Sequence, residues 1–214
     1  MGMDDVVVDP ATTRSRDFWE GRYRAAVDQG TSLWGAGPNG WIAEQVETRS
    51  LQPGLALDLG AGEGRNSRWL AERGWRVVAT DFAQSAVDGI RVATGGLAVE
   101  AVVADATVWT SSEPADLAVL CYLQLPAESL TAAIARAAES LGTGGVLLGI
   151  WHDREDVARG LGGTMTPAIR TTPAETAAAA VAAGLTVDLS GNRDRETPAG
   201  PACDCLLVAR KPKP

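Results

Sequence analysis

Three glycines at alternate positions, Gly60, Gly62 and Gly64, follow an apolar run ending in Asp58-Leu59, and a helical pattern begins at Arg65. Glycine permits positive φ and lets a ligand lie against bare backbone with no Cβ between them. The helix that follows aims its unpaired N–H groups at the same place. Carriers of hydride and donors of methyl groups are both held by such turns. The flanking acids discriminate between them. Asp58 and Glu63 bracket the turn, and carboxylates beside a pyrophosphate repel it. A ligand carrying an ammonium and a sulfonium is attracted to Asp58 instead, while its own carboxylate can meet the helix N-terminus.

Ligands of open α/β sheets sit outside the carboxyl ends of the strands, which selects further residues by position alone. They are Asp81-Phe82 after the second strand, Asp105-Ala106 after the third, Tyr122 at the fourth and His152-Asp153 after the fifth. Asp81 is placed to accept both hydroxyls of a ribose, and charged hydrogen bonds of this kind contribute about 1.5–3 kcal/mol each. Phe82 could cover one face of an adenine. Asp105 could accept from the exocyclic amine, or could simply cap the turn that follows it. His152, the single histidine, could take a proton from a hydroxyl or thiol, or could be a loop residue with no catalytic task. Tyr122 could orient an acceptor or only line the cleft. Trp19, Tyr23 and Trp34 are candidate walls of an acceptor pocket, whereas Trp41 reads as helix packing. Arg154, Arg159, Arg170, Arg193 and Arg195 could hold an acidic acceptor, and read otherwise as solvated loop arginines.

The elements that must position these groups follow from periodicity. Residues 1–14 read as a flexible N-terminus. Residues 15–50 read as an N-terminal helical cap, with helices over Arg16–Gln29 and Gly40–Arg49 joined by the Gly/Pro loop Trp34–Asn39. A core over 54–210 then alternates. Strands are expected at Leu55–Leu59, Arg76–Thr80, Val99–Ala104, Asp116–Tyr122 and Val146–Trp151. Helices are expected at Arg65–Arg73, Ala83–Ala93 and Ala127–Ser140. His152–Thr172 is a long loop without clear period, a kind of segment that is usually functional. Pro173–Ala183 is a helix with proline in its first turn. Strands at Leu185–Leu189 and Cys203–Ala209 close the chain, joined by the polar connection Ser190–Pro201. Alternating strands and helices imply one α/β domain with a mostly parallel sheet and helices on both faces. The two consecutive final strands add one antiparallel strand.

Leu57-Asp58-Leu59-Gly60-Ala61-Gly62-Glu63-Gly64-Arg65-Asn66 resembles the first motif of the class I S-adenosylmethionine-dependent methyltransferases, and Asp81 and Asp105 match that family's second and third cofactor positions. The element order is similar to its Rossmann-like seven-stranded sheet with one antiparallel strand, over roughly residues 40 to 210. The extension Gly64-Arg65-Asn66-Ser67 and the upstream Trp34…Pro38-Asn39 resemble the branch holding tellurite-resistance and thiopurine-type enzymes. The resemblance implies S-adenosylmethionine as cofactor, bound by Gly60, Gly62, Asp81 and Asp105, with the N-terminal helices over the acceptor. Asp58, Ala61, Phe82 and Ala106 join them as candidate cofactor-binding residues by their place at the turn and the strand ends. One departure matters. Strand four ends Leu120-Cys121-Tyr122-Leu123-Gln124-Leu125, without the Asn/Asp-Pro-Pro-Tyr sequence by which amide and adenine N-methyltransferases grip a planar amine.

Composition narrows the partners. A net charge of −8 over 214 residues gives no field that attracts nucleic-acid backbone or anionic lipid, so a small-molecule acceptor is expected and nucleic acid is not. No apolar run approaches the ~20 residues of a membrane span, and Met1–Thr13 carries acids where a secretory signal needs bases. Three cysteines, two of them on one face of a strand, read as reduced thiols in the cytoplasm. No Cys/His spacing suggests a metal. Oligomeric state is open. Two other functions use the same turn: an NAD-dependent oxidoreductase, which the acid bracket disfavours, and a non-catalytic module that binds an adenosyl ligand.

Overall fold

A computed structural model describes residues 16–158, 167–197 and 200–213. The N-terminal 1–14 segment, Arg159 and the central part of the 152–172 loop lie outside the described residues. The expected alternation is present. Helices α1 (Arg16–Asp28) and α2 (Gly40–Thr48) precede strand β1 (Leu55–Leu59), α3 (Arg65–Ala71), β2 (Arg76–Asp81), α4 (Gln84–Ala93) and β3 (Val99–Val103). Then come β4 (Ala115–Cys121), α5 (Ala127–Ser140), β5 (Leu141–His152), the short α6 (Glu155–Ala158) and a single 3-10 turn at Pro167–Ile169. The chain closes with α7 (Pro173–Ala182), β6 (Thr186–Thr197) and β7 (Gly200–Arg210). The seven strands form one sheet in the order β3-β2-β1-β4-β5-β7-β6, all parallel except β7, which runs antiparallel to both neighbours. The strand order reverses between β1 and β4, which opens a crevice at their carboxyl ends.

Alternation along the strands sorts the core into two layers. Leu55, Leu57 and Leu59 of β1, Ala118 and Leu120 of β4, and Cys205, Leu207 and Ala209 of β7 pack with Leu130, Ile134 and Ala137 of α5 and Ala179 and Ala180 of α7. Ala56, Leu117, Val119, Val146, Leu148, Ile150, Leu206 and Val208 face the other way, onto Trp41, Ile42 and Val46 of α2 and Trp69 and Leu70 of α3. Trp41 is thus a core residue, as its helix spacing suggested. Helix α2 starts where the Asn39 side chain accepts from the backbone N–H of Trp41 and Ile42. Helix α7 starts on a capping box between Thr172 and Glu175.

Two expectations on element boundaries change. The connection 190–201 is mostly strand, because β6 and β7 stay paired from Thr186↔Arg210 as far as Thr197↔Gly200. Its residues are polar and exposed or half-exposed, and give no apolar alternation to read. Strand β5 starts at Leu141, five residues earlier than the apolar run. Leu141 pairs with Ala115, and the register then jumps to Leu117↔Val146, with Gly144 at positive φ within the jump.

Candidate functional site

The glycine turn sits at the mouth of the crevice. Gly60, Gly62 and Gly64 have φ of +69°, +58° and +74°, which other residues adopt only at a cost of roughly 1–2 kcal/mol. A Cβ on Gly60 would lie 2.7 Å from Leu123, and one on Gly62 would lie 2.9 Å from Tyr23 Oη and 3.4 Å from Trp34 Nε1. The backbone N–H of Ala61 donates to Thr80 O at 2.8 Å, which ties the turn to the end of β2.

Asp58 lies beneath this turn on the face that α3 covers. Its Oδ2 accepts from Ser67 Oγ at 2.6 Å, while Oδ1 is buried with no hydrogen-bond partner among the described residues. Burial pushes its carboxyl up to about 6, against the opposing pull of Ser67 and Arg65. Asp81 accepts from the N–H of Gly62 and of Ala83, both at 3.0 Å, so it shapes the turn as well as facing the crevice. Its burial raises the carboxyl pKa, and these backbone donors oppose that shift. These bonds commit part of the acceptor capacity of the carboxylate to the backbone. Phe82 packs beside Tyr23, Trp19 and Leu33. Asp105 is exposed, and its Oδ1 accepts from the N–H and hydroxyl of Thr107. It caps that turn with one oxygen. Ala106 is buried behind it.

The segment before α2 is clamped onto this turn. Glu63 accepts from Ser32 Oγ at 2.7 Å and from the backbone N–H of Leu33 and Trp34. Arg65 donates to Trp34 O, Arg68 to Ala36 O, and Asn66 Oδ1 accepts from Asn39 N. Glu63 therefore does not point its charge at the turn. It fastens a lid in which the Trp19 ring stacks on Tyr23 with centroids 5.6 Å apart and lies tilted against Trp34 at 6.1 Å. Tyr23 is buried and Trp34 is 40% exposed at the rim. Glu20 completes the seating of α1, accepting from Ser85 N at the start of α4. The two sequence stretches that suggested a particular branch, 34–39 and 64–67, are thus in direct contact.

A second cluster lies at the ends of β4 and β5. Tyr122 has φ +54°, which breaks the strand's alternation and lets its ring stack on His152 with centroids 4.6 Å apart. Its hydroxyl donates to Asp204 Oδ2 at 2.8 Å, and Arg195 Nε donates to the same oxygen at 2.7 Å. His152 Nδ1 stands 3.4 Å from Asp204 Oδ1. Burial and the adjacent Asp204 charge raise the Tyr122 pKa, so the phenol keeps its proton. Burial opposes the Asp204 charge too, but His152, Arg195 and Tyr122 outweigh it and hold its carboxyl below the ordinary value. With its amide turned to satisfy both ends, Gln124 accepts from His152 N at 2.8 Å and donates to Ile169 O at 2.9 Å.

Sequence reasoning missed Asp204 and read Arg195 as solvated. The available signal was an acid inside the apolar run Ala202–Ala209, which must find partners once buried. Arg170 also departs from expectation. It is not a solvated loop arginine but a buried one, paired with Asp156 at 3.0 Å, and the two side chains are 2% and 1% exposed. Arg154 pairs with Glu175, and Arg193 with Glu44. Asp153, Glu155 and Cys203 lie close enough to share an ion, but both oxygens of Asp153 already accept, from Glu155 N and Asn192 Nδ2. A groove of about 350 Å³ between α5 and α7 lies apart from both clusters. A smaller one of about 250 Å³ adjoins the lid at Glu63 and Arg65.

Comparison with known proteins agrees with this geometry. A family described as "Methyltransferase domain" matches residues 56–145. No curated protein matches the chain in sequence. Among solved structures, magnesium protoporphyrin IX methyltransferase (ChlM) from Synechocystis, with bound SAH, superposes with a TM-score of 0.70 at 17% identity, over 92% of this chain and 97% of that one. A SAM-dependent methyltransferase from Methanosarcina mazei does so with 0.67 at 18%, over 83% and 100%. TehB from Haemophilus influenzae does so with 0.68 at 18%, over 92% and 66%. The chain thus matches a methyltransferase domain over residues 56–145 and has the seven-stranded fold of the class I methyltransferases.

Proposed function

We propose that the protein methylates a small-molecule acceptor bound between the aromatic lid and the Tyr122–His152 cluster. The observation that carries the cofactor assignment is the unpartnered, buried Asp58 Oδ1 beside a turn whose glycines leave no room for Cβ atoms. An ammonium fits that oxygen, and a pyrophosphate does not. In this reading Gly60, Ala61 and Gly62 hold the methionine end, Asp81 the ribose, and Phe82, Asp105 and Ala106 the adenine. S-adenosylmethionine, when bound there, supplies an electrophilic methyl on a cationic sulfur.

The residues of this chain then align and shield. Alignment of a nucleophile with a reacting carbon can contribute about 7–11 kcal/mol in well-oriented systems. Trp19, Tyr23 and Trp34 exclude water from the space over the turn, which favours a step in which charge disappears. His152, 22% exposed in its side chain, accepts the acceptor's proton. Tyr122, whose hydroxyl donates to Asp204, orients the ring of His152 through stacking.

A small acceptor is supported by the net charge of −8, by the missing Asn/Asp-Pro-Pro-Tyr sequence, and by a structural neighbour that acts on magnesium protoporphyrin IX. No helix of the described residues is long and apolar enough to cross a membrane. With three free cysteines, the cytoplasm is the compartment this reading favours. The test is release of S-adenosylhomocysteine from S-adenosylmethionine against a panel of phenols, thiols, amines and selenite or tellurite. At least one class should turn over, and His152→Ala should cut that turnover with cofactor affinity unchanged. Full activity in His152→Ala removes the base. Failure of every acceptor class, with the cofactor still bound, favours a non-catalytic adenosyl-binding module.

A further inference from the structure

Asp204 carries chemistry that its own strand does not explain. It pairs in register with His152 across β5 and β7 and is buried. Its Oδ2 is saturated by Tyr122 Oη and Arg195 Nε. Its Oδ1 is buried and has no hydrogen-bond partner among the described residues unless His152 Nδ1, 3.4 Å away, bears a proton. A second group approaches the same nitrogen, Arg195 Nη2 at 3.5 Å. The two neighbours require opposite tautomers. A carboxylate needs Nδ1–H, whereas a guanidinium needs a lone pair there.

Solvent access decides between them. The Arg195 side chain is 35% exposed and its Nη2 can turn to water, whereas the Asp204 side chain is 2% exposed and Oδ1 cannot. A buried charged acceptor left without a donor is the more expensive defect. The proton therefore belongs on Nδ1, and the lone pair is left on Nε2.

We propose that Asp204 is a positioning residue that fixes His152 as the Nδ1–H tautomer and so presents Nε2 as the proton acceptor. The proposal rests on the reading of His152 as the base and adds the group that orients it. In the step it serves, the acceptor's O–H or S–H bond breaks, with its proton going to Nε2. The acceptor's lone pair forms the new bond to the methyl carbon, and the electrons of the broken methyl–sulfur bond remain on sulfur. The imidazolium formed next to Asp204 then returns its proton to water through Nε2. Tyr122, Arg195, Asp204 and His152 are the titratable groups of this cluster, and only His152 changes charge in the step.

A substitution follows from the same hydrogen bonds. In Asp204→Asn the amide oxygen is claimed by the two donors Tyr122 Oη and Arg195 Nε, so the amide NH₂ faces Nδ1. That nitrogen must then accept, and the proton moves to Nε2. Because the chain has one histidine, isotopic labelling of imidazole nitrogens gives a single, assignable ring in long-range proton–nitrogen correlation spectra of the full-length protein. The expected result is Nδ1–H in the unsubstituted protein, Nε2–H in Asp204→Asn, and Nδ1–H retained in Tyr122→Phe. In the acceptor assay Asp204→Asn should lower turnover by ~10²-fold or more with cofactor affinity unchanged, in the range of a lost general base. Nε2–H in the unsubstituted protein overturns the proposal without any variant having to fold, and so does an unchanged tautomer in Asp204→Asn. Full turnover in His152→Ala removes the base itself and is separable, because the tautomer is read with no acceptor present.

Discussion

Replacing Asp58 with asparagine tests the cofactor site through its one buried, unpartnered oxygen. Burial pushes the Asp58 carboxyl from an ordinary value of 3.8 up to about 6. The folded chain therefore binds a proton that the unfolded chain has lost between these two values. The stability Asp58 contributes is fully present below about pH 4 and is lost as pH rises through about 6, by roughly 3 kcal/mol at 1.36 kcal/mol per unit. An ammonium ligand selects the ionised carboxylate, which is about one molecule in eleven at pH 5 and about nine in ten at pH 7. The affinity for S-adenosylhomocysteine should therefore rise about tenfold between those pH values. In Asp58→Asn the bond from Ser67 Oγ can persist, but the charge is gone. Loss of one charged hydrogen bond, about 1.5–3 kcal/mol, weakens binding at pH 7 by roughly 10- to 150-fold and removes the Asp58 pH dependence. Titration calorimetry at pH 5, 6 and 7 reads both effects, and urea unfolding at the same values reads the stability slope. Affinity that does not change with pH in the unsubstituted protein would refute the reasoning. So would the same slope surviving in Asp58→Asn.

Two further perturbations follow. Gly62→Ala forces an L side chain to φ +58° and brings its Cβ within 2.9 Å of Tyr23 Oη. It should lower the affinity for S-adenosylhomocysteine at least tenfold while the urea midpoint falls by the equivalent of ~1–2 kcal/mol, and unchanged affinity would place the ligand elsewhere. Asp156→Ala leaves the Arg170 guanidinium buried without its carboxylate and also removes the acceptor of Cys203 N. Unfolding free energy should drop by about 3–5 kcal/mol in urea titration, and a change below 1 kcal/mol would show that the pair does not anchor the chain after β5.

What the sequence made legible was local. The run Leu55–Leu59 bounded by glycines, and the Ala-rich helix Ala127–Ser140 bounded by Pro126, carry their own periodicity and stops, and both have the expected limits. The alternate glycines fixed the turn for the same reason, since their φ angles are a property of the residues themselves. What could not be read was pairing across distance. Glu63, Arg65, Asn66 and Arg68 hold residues 32–39 across some thirty positions, and nothing in either stretch names the other. Glu63 looked like half of a charge bracket, and only the fold shows its charge absorbed by Ser32, Leu33 and Trp34. Arg195 and Asp204 meet because β6 and β7 stay paired in a polar region where period-two patterning is silent. The Asp204 acid within an apolar run was a readable anomaly, but its partners Tyr122 and His152 come from other strands.

The central claim is that the turn at Gly60–Gly64 receives an adenosyl ligand with a charged amino-acid end. The most direct measurement is calorimetric titration of the purified protein with S-adenosylhomocysteine and, separately, with NADH. Saturable binding of S-adenosylhomocysteine at one site per chain, lost in Asp81→Ala, together with no heat from NADH, is the predicted result. Binding of NADH with no response to S-adenosylhomocysteine would contradict the account.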